Sequence, residues 1–384
     1  MDRAKLTADE QMIYDRHVQN NDDPLTIKYR SRGDVKYFLE CYGIEEYTIY
    51  RDLKVDVDAS VNLNEVFPRS LAKLPIQFDV VNGHFDVSKN GLTTLEGCPR
   101  IVKGNFDASS NYLRNLKHFP QEIYSSVNLC FNKVLASLEG IPPGTIIHGN
   151  FSCAYSDLTS LKGSPQFIKG NFFCNHNHLE TLEGGPERVD GSFDCSYNNI
   201  VNLIGAPKEV GENFDCSNTY SRKATPGLAS LEGSPERIKG NFNCSASHLI
   251  TLVGGPKHVN GNFVCVSNLL QNLHGAPKYV GGNMDCSANK LQTLNGFKYV
   301  EHKFSIEKNP DLSLVEIAQF KHQTNTELGR CDYKHDEIQK AVETIALHEA
   351  MDKAVKQKNE LPMARAIAGP GNNIAATPTG RRKI

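Results

Sequence analysis

The chain has 384 residues and a formal net charge of -2. This near-neutral balance gives no general attraction to nucleic acid or to anionic membranes, so neither is a favoured partner. The N-terminal MDRAKLTADEQ is polar where a secretory signal would be apolar, and no stretch is apolar enough to span a bilayer. We therefore expect a soluble protein that is not exported by that route. We also expect its 11 cysteines to be free thiols in a reducing compartment.

Residues 1–56 precede the repeated part of the chain. T-A-D-E-Q-M-I-Y-D-R-H-V and D-V-K-Y-F-L-E-C-Y both have helical patterns, and Thr7 and Asp34 are their predicted N-caps. Because a repeat solenoid exposes apolar surface at its ends, we predict that 1–56 forms an N-terminal cap of helices and strands.

A unit repeats along most of the chain, and its clearest copy is F-D-C-S-Y-N-N-I-V-N-L-I-G-A-P-K-E-V at residues 193–210. Most steps between copies are 21 residues, but steps of 24 precede Phe85 and Phe151 and a step of 28 precedes Phe242. We interpret the longer steps as loop insertions, and we expect the insertion at 219–227 to bulge from the surface. The leading apolar residues are Val61, Phe85, Phe106, Val127, Phe151, Phe172, Phe193, Phe214, Phe242, Phe263, Met284 and Phe304.

Within a unit, the alternation in V-x-G-N-F-x-C predicts one short strand with one buried face, stacked on its neighbours in a parallel sheet. Two leucine columns, such as Leu179 and Leu182, should fill the core behind the strand. An asparagine column should bond to backbone groups of adjacent turns, with Ser156, Thr219 and Ser247 as substitutes. Glycine and proline columns should shape a return arm without a helix. The asparagines are Asn90, Asn111, Asn132, Asn177, Asn198, Asn268, Asn289 and Asn309.

The unit resembles the leucine-rich repeat, L-x-x-L-x-L-x-x-N-x-L, in particular its short proline-containing bacterial type. Phe193, Cys195, Asn198 and Ile200 match the L-x-L-x-x-N-x-L portion, whereas Val189 lies four residues before Phe193 where the standard unit has three. The wording G-N-F-D-C-S-x-N-x-L-x-x-L-x-G-x-P also resembles repeat proteins encoded by tailed bacteriophages. The resemblance covers residues 57–314. It implies a repeat solenoid of about twelve 21-residue rungs, with a parallel strand sheet on one face and helical caps at both ends.

The repeat fades after Phe304. Residues 315–360 are predicted to form C-terminal helices, with an apolar stripe that either packs on the solenoid or contacts a partner or a second copy. Residues 361–384 have little core-forming material and are predicted to be a flexible tail. The stripe comprises Ile338, Val342, Ile345, Ala346, Met351 and Ala354.

We predict no catalytic residue, no metal site and no cofactor. The column Cys153, Cys174, Cys195, Cys216, Cys244, Cys265 and Cys286 has the spacing of a stacked core position, which offers a line of thiols and not a tetrahedral site. His348-Glu349 lacks the second histidine of a zinc-protease helix. An alternative is an enzyme with a small C-terminal catalytic segment, and its candidate residues are His335, Asp336, His348 and Glu349.

The outward positions of the strands are the predicted partner-binding surface. Aspartates in this column should form a weakly acidic strip suited to a basic protein surface, or else keep the sheet soluble. Exposed apolar residues in the same rows are further candidate contacts. The candidates are Asp86, Asp107, Phe173, Asp194, Asp215, Val264, Val266 and Asp285, flanked by Asn105, Asn150, Asn171, Asn213, Asn241, Asn262 and Asn283.

These features together favour a non-enzymatic, phage-encoded scaffold that binds a host protein through its strand face in the cytoplasm of an infected bacterium. The alternative from the same resemblance is a component of the phage particle that assembles through its ends and tail. The partner, the host and the oligomeric state stay open at this point.

Overall fold

The computed structural model describes residues 5–68, 71–219, 227–297 and 299–367, with side chains up to residue 357. They form two compact units, one within Met1–Leu312 and Thr326–Asp332 and the other within Ser313–Asn325 and Tyr333–Ile384. Most of the predicted insertion at 219–227, and the predicted flexible tail from residue 368 onwards, lie outside the described residues.

Four helices occur in the described residues: α1 (Ala8–Asn20), α2 (Arg32–Cys41), α3 (Leu314–Thr324) and α4 (His335–Ile367). The predicted N-cap Thr7 is confirmed, because its hydroxyl accepts a hydrogen bond from the backbone N–H of Glu10 at 3.3 Å. The predicted N-cap Asp34 is wrong. Ser31 caps α2, and Asp34 is the third helical residue, whose carboxylate accepts from the Ser31 N–H at 2.7 Å.

Twenty-five strands, nearly all of two residues, occur in the described chain. In chain order they are β1 (Tyr47–Ile49), β2 (Lys54–Val57), β3 (Val61–Asn62), β4 (Gln77–Val81), β5 (Phe85–Asp86), β6 (Ile101–Val102), β7 (Phe106–Asp107), β8 (Glu122–Ile123), β9 (Val127–Asn128), β10 (Ile146–Ile147), β11 (Phe151–Ser152), β12 (Phe167–Ile168), β13 (Phe172–Phe173), β14 (Arg188–Val189), β15 (Phe193–Asp194), β16 (Glu209–Val210), β17 (Phe214–Asp215), β18 (Arg237–Ile238), β19 (Phe242–Asn243), β20 (His258–Val259), β21 (Phe263–Val264), β22 (Tyr279–Val280), β23 (Met284–Asp285), β24 (Lys303–Ser305) and β25 (Glu327–Leu328).

The strands alternate between two sheets, so each turn of the solenoid contributes one strand to each. The valine sheet has 12 strands, β1, β2 and the even-numbered strands from β4 to β22. The phenylalanine sheet has 13 strands, the odd-numbered strands from β3 to β23, then β24 and β25. All pairs are parallel except β1 with β2. The predicted solenoid of about 21-residue turns with a parallel sheet is therefore confirmed, and a second sheet adjoins the predicted one.

The predicted single strand V-x-G-N-F-x-C divides because the direction of hydrogen bonding reverses in its middle. The Gly191 N–H donates to Gly170 of the preceding turn at 3.1 Å, whereas the Phe193 N–H donates to Asn213 of the following turn at 2.8 Å. Ser192 lies between them, and its N–H is bound by the side-chain oxygen of Asn171 at 2.7 Å. The chain turns a corner here, and both Val189 and Phe193 remain buried.

The flanking asparagines repeat this contact along the corner. The side-chain oxygen of each accepts from the backbone N–H at the same position of the next turn, as in Asn241 to Asn262 at 2.8 Å and Asn262 to Asn283 at 2.7 Å. Glycine precedes most corner positions because a larger residue does not fit: a Cβ on Gly191 would lie 2.4 Å from the Asn171 side-chain oxygen. We call this row the corner ladder; it comprises Asn105, Asn150, Asn171, Asn213, Asn241, Asn262 and Asn283.

The predicted asparagine column forms a second, buried ladder behind the phenylalanine sheet. The Asn198 amide donates to the carbonyl of Cys195 in its own turn and to that of Cys174 in the preceding turn, both at 3.0 Å, while its oxygen accepts from the Leu179 N–H at 3.0 Å. Asn198 is 2% exposed, so water does not compete for these groups. The predicted role of the column is confirmed, and Thr219 and Ser247 also form hydrogen bonds to backbone carbonyls within it.

The core consists of stacked columns. Phe151, Phe172, Phe193, Phe214, Phe242 and Phe263 stack ring on ring at centroid distances of 5.3–5.5 Å. The two leucine columns and the cysteine column are fully buried beside them. The return arm needs its glycines: Gly205 has φ +89°, and a Cβ there would lie 2.3 Å from the Glu183 nitrogen.

The two sheets respond differently to the longer steps. Every neighbouring pair in the phenylalanine sheet keeps two residues in register, including β17 with β19 across the 28-residue step. In the valine sheet the 24-residue steps coincide with a bulge between β2 and β4 and with a single paired residue between β8 and β10. The 28-residue step coincides with a single pair, Val210 with Ile238. The valine sheet thus absorbs the insertions.

Both ends of the solenoid carry additional structure. At the N-terminal end Phe38 of α2 stacks on Phe67 at 6.3 Å, and β1 pairs with β2. At the C-terminal end β25 adds to the phenylalanine sheet, so Thr326–Asp332 belongs to the solenoid unit although it lies inside the predicted helical segment 315–360. The boundary predicted at 360 falls inside α4. No helix of the described residues is long and apolar enough to cross a membrane.

Candidate functional site

The outward column of the phenylalanine sheet contains the predicted aspartates, each at the second residue of a strand. One carboxylate oxygen of each binds the backbone N–H two residues later and so closes the turn that ends the strand. The distances are 2.9 Å for Asp86, Asp107, Asp194 and Asp215 and 3.0 Å for Asp285. These side chains therefore have a structural task, and the second oxygens of Asp107, Asp215 and Asp285 are also bound, by the side chains of Asn128, Asn243 and Arg330.

The aspartates do not form a continuous acidic strip along the sheet. The sheet register places Asp86 beside Asp107 and Asp194 beside Asp215, while Asn128, Ser152 and Phe173 separate the two pairs. Burial and, to a smaller extent, the charge of Asp215 raise the pKa of the Asp194 carboxyl. Arg330 of the C-terminal segment forms an ion pair with Asp285. The most concentrated uncompensated acidity of the column is thus Asp194 with Asp215.

The predicted apolar contacts lie on the same face in two separate places. Phe173 and Val264 are half-buried members of one column, but the strands β15, β17 and β19 lie between them. Val264 and Val266 follow each other along one turn. A groove of about 480 Å³ brings Val264 together with Asp215 and Asn243. The structure therefore does not unite the predicted residues in a single site.

An exposed aromatic ladder at the edge of this face was not predicted. The rings of Phe131, Tyr155, His176 and Tyr197 stack in four consecutive turns, with centroid distances of 5.0, 4.1 and 4.2 Å and interplanar angles of 12° or less. Phe131 is 48% exposed and Tyr197 is 49% exposed. Each residue immediately precedes the asparagine column, which is the sequence signal by which the ladder could have been found.

The backbone at these positions is left-handed, with φ between 53° and 60°. Every turn needs this conformation here, and Lys89, Ala246 and Ser267 adopt it too. Glycine or asparagine would adopt it with the least strain, yet four adjacent turns use bulky aromatic residues instead. Stacking offsets part of that strain, at about 0.5–1.5 kcal/mol per pair. Stacking covers the faces of the rings but does not account for their exposed edges, which indicate a contact surface.

The residues of the enzyme alternative do not converge. His335 and Asp336 begin α4, and His348 and Glu349 lie 13 residues further along the same helix, on the order of 20 Å away at 1.5 Å per residue. Glu349 lies within hydrogen-bonding distance of His322 of α3, with 3.2 Å between Oε2 and Nε2. The carboxylate of Asp332, in the segment between α3 and α4, accepts from the N–H groups of Lys308 and Asn309. That aspartate therefore closes the last turn of the solenoid.

The cysteine column is buried as predicted, and all 11 cysteines are free thiols. Burial raises the pKa of Cys153, Cys174 and Cys195 well above the ordinary value, which disfavours the reactive thiolate. Cys265 and Cys286 are the closest pair, with their sulfur atoms 3.2 Å apart. In the described part of the chain, no group of three or more His, Cys, Asp or Glu side chains is arranged to hold a metal ion.

The apolar stripe of α4 is covered at its beginning and exposed further along the helix. Ile338 is buried, Val342, Ile345 and Ala346 are half-buried, and Met351 is 57% exposed. Leu347 and Val355 are exposed beside Met351. The predicted contact of this stripe with a partner or a second copy stays a prediction.

Among solved structures, the chain is similar to YopM from Yersinia enterocolitica WA-314, with 16% sequence identity, 80% of this chain and 77% of that chain covered, and a TM-score of 0.30. A likeness of this degree carries no argument about function. No protein-family model matches the chain, and no curated protein matches it either.

Proposed function

We propose that this chain is a non-enzymatic scaffold that binds a protein partner through its phenylalanine sheet and the adjoining aromatic ladder. The observation that carries the proposal is the ladder itself, Phe131, Tyr155, His176 and Tyr197. It exposes aromatic edges over four turns at positions where a smaller residue would be less strained. Tyrosine is enriched at the centres of protein interfaces because it provides large contact area and a hydroxyl group together.

The charge of the neighbouring face favours a basic partner surface. Asp194 and Asp215 lie side by side in the strands next to Tyr197, and no ion pair joins either carboxylate to a described residue. A lysine or arginine from a partner would relieve their repulsion while it packs against the ladder. The half-buried Phe173 lies in the same part of the sheet, in the turn of His176.

The setting that we propose follows the resemblance of the repeat unit to proteins of tailed bacteriophages. The chain would be phage-encoded and would bind a host protein in the cytoplasm of an infected bacterium. The alternative is a virion component that assembles through its ends and tail. The two settings differ in which proteins accompany the chain and in which surface holds them.

The test is affinity purification of the tagged chain from its native setting, with bound proteins identified by mass spectrometry. The ladder variant is Tyr155→Asn/Tyr197→Asn, which removes two rings and supplies a residue suited to the left-handed backbone. The matched control is Ala246→Asn/Ser267→Asn, two substitutions in the same column outside the ladder. A second variant, Phe173→Glu/Val264→Glu, places charge on the sheet.

We expect one stoichiometric host protein that the control retains and that the ladder variant releases at least tenfold more readily. Retention of that protein by both the ladder variant and the sheet variant would contradict binding through this face. Co-purification of virion proteins that survive both variants would favour assembly through the ends instead.

A further inference from the structure

The valine sheet opens at one place beside the 28-residue step. Neighbouring turns hold β14 to β16 through two paired residues, but β16 and β18 share only Val210 with Ile238. In the adjacent turns the N–H groups of Gly211 and Asn260 donate to the preceding turn at 2.9 and 3.0 Å. A second pair, which the register of the neighbouring strands would place at Glu209 and Arg237, does not form across this step. The sheet is therefore loosened where Arg237 enters it.

A cavity of about 520 Å³ occupies this opening, a volume typical of small-ligand sites. Its lining includes three acidic side chains, and each is already paired. Arg188 binds Asp190 at 2.6 Å and Glu209 at 3.1 Å, and Lys257 binds Glu236 at 2.8 Å. Two cations thus face three carboxylates, so this set of ion pairs retains one negative charge.

Three cations in the same lining have no such partner. Lys208, Arg237 and Lys239 line the cavity, and none of them forms an ion pair with a described residue. His258, also in the lining, has a buried Nδ1 atom without a hydrogen-bond partner. An unpaired cluster of like charges is unfavourable unless something of opposite charge binds there. The cavity therefore has the charge, the donors and the volume for an anion.

The other opening of the same sheet shows that the cations do not follow from the opening alone. β8 and β10 also share a single pair, Ile123 with Ile147, and a cavity of about 420 Å³ lies beside it. Its lining contains Glu122, Tyr124 and His148 but neither lysine nor arginine. The same backbone irregularity thus occurs with and without a basic lining.

We propose that the cavity between β16 and β18 is a binding site for a small phosphate-bearing ligand with at least two negative charges. The planar guanidinium of Arg237 suits two phosphate oxygens at once, and Lys208 and Lys239 supply point charges beside it. The imidazole of His258 is a further hydrogen-bonding group for a phosphate oxygen. This site lies on the valine sheet and is independent of the protein-binding face proposed above.

The experiment is isothermal titration calorimetry of inorganic pyrophosphate into the full-length chain at low and at moderate salt. The site variant is Arg237→Gln/Lys239→Gln. The matched control is Lys103→Gln/Lys278→Gln, which removes the same charge from exposed positions of the same sheet outside the cavity. Citrate is titrated in parallel as a carboxylate polyanion, and thermal unfolding of each variant verifies that it is folded.

We expect pyrophosphate to bind the wild-type chain and the control equally and the site variant at least tenfold more weakly, with citrate weaker than pyrophosphate for the wild type. The absence of pyrophosphate binding to the wild-type chain would overturn the proposal. An equal loss of pyrophosphate affinity in the site variant and the control would also overturn it, because overall charge would then explain the effect. Citrate binding as tightly as pyrophosphate would overturn it as well. The ladder variant Tyr155→Asn/Tyr197→Asn should bind pyrophosphate normally, so the two proposals can fail separately.

Discussion

The two sheets of the solenoid are built from the same turns, yet they differ in how they tolerate change. The phenylalanine sheet keeps its register through every insertion, whereas the valine sheet bulges or opens at each one. The phenylalanine sheet is followed at once by the buried asparagine ladder, in which Asn198 binds four backbone groups. The valine sheet ends at the half-exposed corner ladder, which ties one. Register is rigid where buried polar groups require a partner.

The largest expected effect is a difference in stability between a variant of the buried asparagine ladder and a variant of the corner ladder. Asn198→Ala leaves the Leu179 N–H and the Cys195 carbonyl without their side-chain partner in a dry core, while the Cys174 carbonyl keeps the Asn177 amide, and we expect a loss of about 3 kcal/mol in the free energy of unfolding. Asn171→Ala frees only the Ser192 N–H at a corner that water reaches, and about 0.5–1 kcal/mol should be lost. Urea denaturation of both variants measures the difference.

Asn198→Thr provides the control for this comparison. Thr219 occupies the same column and hydrogen-bonds to the Cys216 carbonyl at 2.9 Å, so threonine should restore part of what alanine removes. Equal losses for Asn198→Ala and Asn171→Ala would show that the buried ladder is not the reason for the rigid register.

The second prediction concerns the cause of the opening. Deletion of residues 220–226 shortens the step from Phe214 to Phe242 from 28 to 21 residues, the ordinary period. We expect the valine sheet to regain its second pair between β16 and β18, the Arg237 amide to exchange with solvent about tenfold more slowly, and pyrophosphate affinity to fall. Hydrogen exchange followed by mass spectrometry gives the first result and calorimetry the second. Unchanged exchange at Arg237 would show that the opening has a cause other than the insertion.

The sequence predicted the solenoid, its period, the core columns and the buried ladder, because each depends on a residue type repeated at a fixed spacing. It failed at the corner for a physical reason. Val189 and Phe193 are four residues apart and both point inward, whether they lie in one strand or in two strands joined by a corner. Side-chain alternation does not distinguish these cases. The reversal of hydrogen bonding at Ser192 does, and it is a backbone property.

The candidate sites were harder to predict than the fold because they interrupt the repeat. The residue before the asparagine column varies along the chain, from Lys89 to Ala246, so the aromatic signal at this position extends over only four of the turns. The cavity cations come from two turns separated by the long step: Lys208 belongs to one, and Arg237 and Lys239 belong to the next. Only the closeness of those turns in space brings the charges together. Of the predicted partner residues, the aspartates have a structural role that residue type alone did not reveal.

The smallest effect tests the acidity of the phenylalanine sheet. Because the folded protein raises the pKa of Asp194, its charged form is disfavoured in the fold, so the destabilisation is present above the folded pKa and disappears as the pH falls below the unfolded value. Asp194→Asn keeps the oxygen that accepts from the Ser196 N–H and removes the charge beside Asp215. We expect a gain of about 0.5 kcal/mol near neutral pH, the size of a cross-strand like-charge contact.

Asp285→Asn is the opposite case on the same column, since Asp285 has the cation Arg330 as a partner. Its loss should destabilise the fold by up to about 0.5 kcal/mol. The two variants should therefore shift the urea midpoint in opposite directions at pH 7, and the gain for Asp194→Asn should vanish in acid as the wild-type carboxyl takes up its proton. A shift of the same sign for both would mean that the column acts as a uniform strip. In that case the repulsion between Asp194 and Asp215 would not mark the place where a basic partner binds.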